Sequence, residues 1–284
     1  MANESGGAMH QSILIYKRFL YLKLTLIGLI AAIAAYSIHA PIGVPNGGTW
    51  LGYTLGGVSA VLILWLMWFG IRKRRYGAGN TKLEAWLSAH VYFGLALIIL
   101  GTLHTGFQFG INIHTLAYVL MMLVILSGLF GLYAYMRYPG EMTNNRAGTT
   151  LREMMMQIAD LDRQCRDMAM NLGDEINTVV FEASRNTRVG GGLFRQLSGH
   201  DPSCASTAAL AKVEALVAQA TGDEAQNVRQ LVALLSRKCE LLRRARKDVQ
   251  FQGLMQVWLY LHVPLSFGLL AALIAHVVAV FYYW

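Results

Sequence analysis

Apolar residues gather in five long runs, at 19–40, 50–71, 83–109, 114–136 and 254–284. Each approaches or exceeds the roughly 20 residues with which a helix crosses about 30 Å of hydrocarbon. They predict five transmembrane helices. The polar lead at 1–18 carries no small-residue cleavage pattern, so the first run reads as a retained helix and the mature chain as beginning near Met1. Between the fourth and fifth runs lies a polar insert at 140–252. Its second half repeats apolar residues at helical spacing: Leu210, Val213, Leu216 and Val217, then Val228, Leu231, Leu235 and Leu242. That stripe is the pattern of core packing. A break containing Gly, Ser and Pro at 189–203 separates two helical stretches. The expected fold is all-α: a five-helix transmembrane bundle, helices 1–4 within 19–139 and helix 5 within 253–284, with a helical hairpin inserted between helices 4 and 5.

Composition removes one broad class, because 55% hydrophobic and 14% charged residues do not describe a soluble enzyme. The net charge of +8 is unevenly spread. Between 137 and 253 there are 16 Lys/Arg against 14 Asp/Glu, whereas the remainder holds 8 against 2. The excess lies beside the apolar runs, which marks topology and excludes nucleic acid as the partner. Lys17, Arg18 and Lys23 flank the first run; Arg72, Lys73, Arg74, Arg75 and Lys82 lie between the second and third; Arg137 and Arg146 follow the fourth. The loops at 41–49 and 110–113 contain neither Lys nor Arg. By the positive-inside rule the amino terminus and the insert are cytoplasmic and the carboxyl terminus is outside, in a bacterial cytoplasmic membrane. Trp50, Tyr53 and the closing Phe281, Tyr282, Tyr283 and Trp284 suit the outer headgroup level. Arg243, Arg244, Arg246 and Lys247 suit a membrane-surface anchor or a partner's acidic face. Cys165, Cys204 and Cys239 lack Cys-x-x-Cys spacing and fit reduced thiols in a cytosol. Gly190, Gly191 and Gly192 follow no strand and precede no Gly-Lys-Ser/Thr, so they read as a flexible tip.

Histidine carries the chemistry. Of eight, His90 and His104 lie in the third run and His262 and His276 in the fifth, and both pairs are 14 residues apart. An ionisable side chain inside a bilayer is costly and is by default a functional candidate. Fourteen residues turn a helix by about 1400°, some 40° short of four turns, and rise about 21 Å. Each pair therefore shares one face, yet cannot grip one metal together. Both runs cross in the same direction, so His90 matches His262 in the inner leaflet and His104 matches His276 in the outer. Two stacked His–His sites result, suited to two six-coordinate b-type haem irons. Small residues at neighbouring turns, Gly94, Gly101, Ser266 and Ala272, give room beside the ligands, although small residues also serve plain helix packing, as Gly52 and Gly56 do in the second run. Pro264 marks a local kink. Glu84 is the one carboxylate in the runs, which disfavours a proton or ion pathway. Structural histidines are the competing reading. His39 and His114 are expected at the outer surface, where solvation accounts for them; outer propionates would otherwise need donors such as His39, His114, Thr105, Gln108 or Asn112, water or an arriving partner, while Arg72 to Arg75 and Lys82 stand near inner ones in sequence. His10 and His200 carry no usable signal.

The segments Ala89-His90-Val91, Leu103-His104-Thr105, Leu261-His262-Val263-Pro264 and Ala275-His276-Val277 resemble the two-haem transmembrane core of the ferric reductase and NADPH oxidase superfamily. The resemblance covers the five runs. It implies inner ligands His90 and His262, outer ligands His104 and His276, and electrons crossing the membrane from a cytosolic flavin. The chain departs from that pattern: it ends at Trp284 without a sixth helix or a flavin or nicotinamide domain, and it carries a long insert. A built-in NADPH oxidase is therefore not expected. Quinol-oxidising cytochrome b subunits use similar histidine pairs. The expected function is a membrane-integral di-haem cytochrome b subunit, an electron-transfer part of an oxidoreductase complex with no catalytic side chain of its own. It would link a separate cytoplasmic donor docked on the hairpin, or the quinol pool, to an external acceptor such as a c-type cytochrome. The alternatives are a quinol dehydrogenase subunit with a quinone pocket, and a non-redox membrane scaffold or signalling protein.

Overall fold

The computed structural model describes residues 13–73, 81–199, 201–217 and 221–282. Among them the chain is helical, with no strand. The helices are α1 (Tyr16–Ile38), α2 (Trp50–Lys73), α3 (Thr81–Thr105), α4 (Ile113–Arg146), α5 (Leu151–Ala169), α6 (Asp174–Asn186), α7 (Leu193–Ser198), α8 (Ala205–Val217) and α9 (Gly222–Tyr282). Met1, His10, Arg74, Arg75, His200, Tyr283 and Trp284, which figure in the sequence reading, lie outside the described residues. The chain divides into two compact units, Met1–Arg137 with Val257–Trp284, and Tyr138–Gln256.

Five helices, α1 to α4 and α9, are long and apolar enough to cross a membrane, and the chain is an integral membrane protein. In the first unit α3 packs against both α1 and α2. Ala32, Leu51, Leu55, Ala96, Leu100 and Leu103 form one buried cluster; Ile63, Leu66, Leu97, Met121, Ile125 and Leu269 form a second that draws in α4 and α9. Ile27, Ile30, Val61 and Phe267 point outward and are each more than 60% exposed. Helices apolar on every side belong in lipid, which solvates such residues. Lys17, Arg18 and Phe19 have positive φ, so regular helix in α1 begins just beyond them.

Polar caps close the loops beside α2 to α4. The Thr49 hydroxyl accepts from the Gly52 N–H at 3.0 Å, and the Asn112 side-chain oxygen accepts from the Thr115 N–H at 2.9 Å. Gly106, with φ +58°, ends α3 where an added Cβ would strike the Pro45 carbonyl. That close approach holds the 41–49 loop against the end of α3 and brings Gly47 to His104.

The second unit has its own core. Thr150 and Glu153 form a reciprocal capping box at the start of α5, whose buried face carries Met154, Ile158, Leu161, Cys165 and Ala169. Ile176 and Val180 of α6, Val213 of α8, and Val228, Leu231 and Leu235 of α9 complete the main cluster. The stripe read from sequence is thus core. Two buried charges are paired: Asp248 receives Arg146 in a two-pronged contact at 2.7 and 2.9 Å, and Lys238 meets Asp162. Each expected arm is subdivided, α5 and α6 before the 189–203 break and α8 with the first half of α9 after it, with α7 inside the break. The turn at Leu172 and Gly173, and Gly222 at φ +62°, supply the interruptions.

The basic cluster expected at the membrane surface makes local ion pairs, with Arg243 largely exposed. Arg243 and Arg244 both bond Glu240, Lys247 lies 3.9 Å from Glu141, and Arg246 bonds Asp201, the Arg188 carbonyl and Cys204. Acids within the same unit already engage all four cations. The three cysteines are unbonded. Burial pushes the Cys165 thiol up to about 11. At Cys204 burial acts in the same direction, but the Arg246 guanidinium and Thr207 outweigh it and bring the thiol below its usual value.

Candidate functional site

His104, near the end of α3, sits on a floor of glycine. Its Nδ1 donates to the Gly52 carbonyl at 2.8 Å. A Cβ on Gly56 would come within 2.6 Å of the His104 ring, and one on Gly47 within 3.2 Å. Only residues without side chains let the imidazole lie this close to the α2 backbone. His276 of α9 faces it, with ring centroids 5.9 Å apart and planes at 89°. A third imidazole joins them: His114, at the start of α4, lies 4.5 Å from the His276 ring centroid, with the two Nδ1 atoms in hydrogen-bond contact.

Fourteen residues earlier on α9, His262 has a different neighbourhood. Its Nδ1 pairs with the Ser127 hydroxyl at 2.7 Å, and that hydroxyl donates to the Val124 carbonyl at 2.8 Å. Trp258 stacks on His262 with centroids 5.5 Å apart, anchored by its indole N–H on the Ser127 carbonyl at 2.7 Å. Gly128 and Gly131 lie beside the His262 and Trp258 rings. His90 on α3 packs on Phe69, with ring centroids 5.1 Å apart. Its Nδ1 is buried without a hydrogen-bond partner.

One contact fixes a proton position. A carbonyl oxygen only accepts, so His104 carries its proton on Nδ1 and keeps a bare lone pair on Nε2. Ser127, which also bonds the Val124 carbonyl, can donate to His262 Nδ1 or accept from it. Nδ1 held by an oxygen acceptor and Nε2 free is the state in which histidine binds a metal. At the other level His90 has no acceptor on its buried Nδ1, unlike His104. Paired imidazoles leave four positions of a six-coordinate iron to another donor set, which porphyrin nitrogens supply. Paired imidazoles of this kind are donors that can hold haem iron.

The remaining sequence candidates fall in varied places. A Cβ on Gly94 would meet nothing within 4 Å, whereas the space beside Gly101 is taken by Met121. Ser266 donates to the His262 carbonyl at 2.8 Å, and Ala272 is buried. His39 lies edge-on to Trp50, with its Nε2 buried and unpartnered. Thr105 donates to the Thr102 carbonyl, and Asn112 caps α4. Sequence reasoning missed Ser127, Trp258 and the role of Gly56 as a seat for His104, and it placed His114 at the surface. No family model, curated protein or solved structure is detectably similar to this chain.

Proposed function

We propose that the protein is a membrane-integral di-haem cytochrome b subunit that passes electrons one at a time across the bilayer. The observation that supports this most is the facing pair of imidazoles His104 of α3 and His276 of α9, with His104 Nδ1 bonded to the Gly52 carbonyl, and with His90 and His262 fourteen residues earlier on the same two helices. Haem supplies the one-electron Fe(III)/Fe(II) couple when bound. The chain's own residues do the rest. His90 and His262 provide the inner ligand pair, His104 and His276 the outer pair, about 21 Å apart along the helices. Gly52 and Ser127 keep two of those rings aimed, and the surrounding apolar clusters keep water away from both levels.

In this reading the insert faces the cytoplasm and docks a separate electron donor, with quinol as an alternative source, and the acceptor outside is a protein such as a c-type cytochrome. The topology rests on the distribution of Lys and Arg among the short loops. The test is a reduced-minus-oxidised visible spectrum of the purified chain with pyridine haemochrome quantification. Two haems per chain are expected. His90→Ala or His262→Ala should remove one haem and His104→Ala or His276→Ala the other. A colourless protein, or unchanged haem content in all four variants, refutes the proposal.

A further inference from the structure

The two levels are not equivalent in how the α9 ligand is held. At the inner level the Nδ1 partner of His262 is the Ser127 hydroxyl. At the outer level the partner of His276 is a second imidazole, His114, set edge-on with ring planes at 90°. If His276 binds through Nε2, its single proton resides on Nδ1, and His114 is then obliged to accept through its own Nδ1. His114 is in turn carried by the first turn of α4, which Asn112 caps through the Thr115 N–H, so its ring approaches from a rigid element.

From this we infer that His114 is a positioning residue of the outer site: its Nδ1 accepts from the Nδ1–H of His276 and thereby sets both the aim and the donor strength of that imidazole. The inference rests on the haem reading above. An imidazole nitrogen is a stronger acceptor than a hydroxyl, so it pulls the His276 proton outward and makes Nε2 more electron-rich. A more electron-rich ligand favours the ferric over the ferrous state, and second-shell hydrogen bonding of this kind is an established lever on haem potential. The outer couple is accordingly lower in potential than the same ligand pair would be without His114.

Redox titration of the purified full chain, read at the haem bands, tests this. His114→Phe retains ring bulk and removes the acceptor; His114→Ala removes both; His114→Gln retains an acceptor oxygen. Loss of the acceptor should weaken ferric relative to ferrous ligation about tenfold, raising one couple by about 59 mV. The couple that moves should be the one absent from His276→Ala, with the other unchanged, and His114→Gln should restore most of the shift. Two couples that stay unmoved in both the Phe and Ala variants overturn the role of His114 and leave the haem reading standing. Equal shifts in Phe, Ala and Gln variants also overturn it, since packing and not acceptance would then matter. A wild-type chain without haem overturns the reading itself, and this inference with it.

Discussion

On the haem reading proposed above, adding one methyl group at Gly56 should cost the protein the outer haem while leaving the inner one in place. The Cβ of Gly56→Ala would lie 2.6 Å from His104 Cε1 and 2.8 Å from Nδ1. Comfortable contact between such atoms is about 3.5–4.0 Å, so the ring has to retreat by about 1 Å. It is tied by its Nδ1 to the Gly52 carbonyl, one turn away on the same helix, and retreat breaks that bond. Overpacking of this size costs about 1–3 kcal/mol, which corresponds to about 5- to 150-fold in affinity for whatever the ring ligates. A shift of about 1 Å also far exceeds the ±0.2 Å or so that metal–ligand distances tolerate. Gly57 is the internal control, because a Cβ there meets nothing within 4 Å. Pyridine haemochrome of the two purified variants should give about one haem per chain for Gly56→Ala and two for Gly57→Ala. Full haem content in Gly56→Ala, or an equal loss in both variants, would show that His104 is not seated as a ligand against α2.

Two further outcomes follow from contacts elsewhere. Ser127→Ala removes the hydroxyl bonded to His262, so on the haem reading inner haem retention on dilution in detergent should fall about 10- to 100-fold while the outer haem is kept, and Ser127→Thr should retain both; equal retention in Ala and Thr variants would deny the hydroxyl its role. Arg146→Ala strands the fully buried Asp248 carboxylate, a loss of about 3–5 kcal/mol, and should lower the thermal unfolding midpoint of the full chain well beyond the effect of Arg163→Ala; an unchanged midpoint would mean that this ion pair is dispensable.

The bundle was largely legible because its governing constraint is written residue by residue. A helix in lipid satisfies its backbone internally and must be apolar all round, so length and hydropathy alone located α1, α2 and α3 to within a few residues. The same logic fails where apolar runs stop and helices do not. α4 continues through Pro139 to Arg146, and α9 begins at Gly222, far upstream of its apolar run. Neither continuation is signalled by hydropathy, because polar helical sequence follows lipid-facing sequence with no Gly or Pro strong enough to end it. In the insert the stripe of Val213, Val228, Leu231 and Leu235 was readable as core, but the subdivision of each arm hinged on brief turns at Gly173 and Gly222.

The candidate site separates along the same line. Equal 14-residue intervals on two helices can be read from a sequence, since helical geometry converts spacing into face and depth. What holds those rings cannot, because hydrogen-bond partners are chosen by packing: Gly52 lies 52 residues from His104, Ser127 lies 135 from His262, and His114 lies 162 from His276. No periodicity links such positions. His114 illustrates the limit, because a histidine at the start of an apolar run looks like a residue at the outer surface until α9 is packed against α4. The histidine spacing is symmetric and the partners are not: a carbonyl and an imidazole serve the outer pair, and a hydroxyl serves one member of the inner pair. On the proposed haem reading, two irons held by identical ligands would differ in potential through groups that never touch the metal, and a difference of that kind gives electron flow through a chain of like sites its direction.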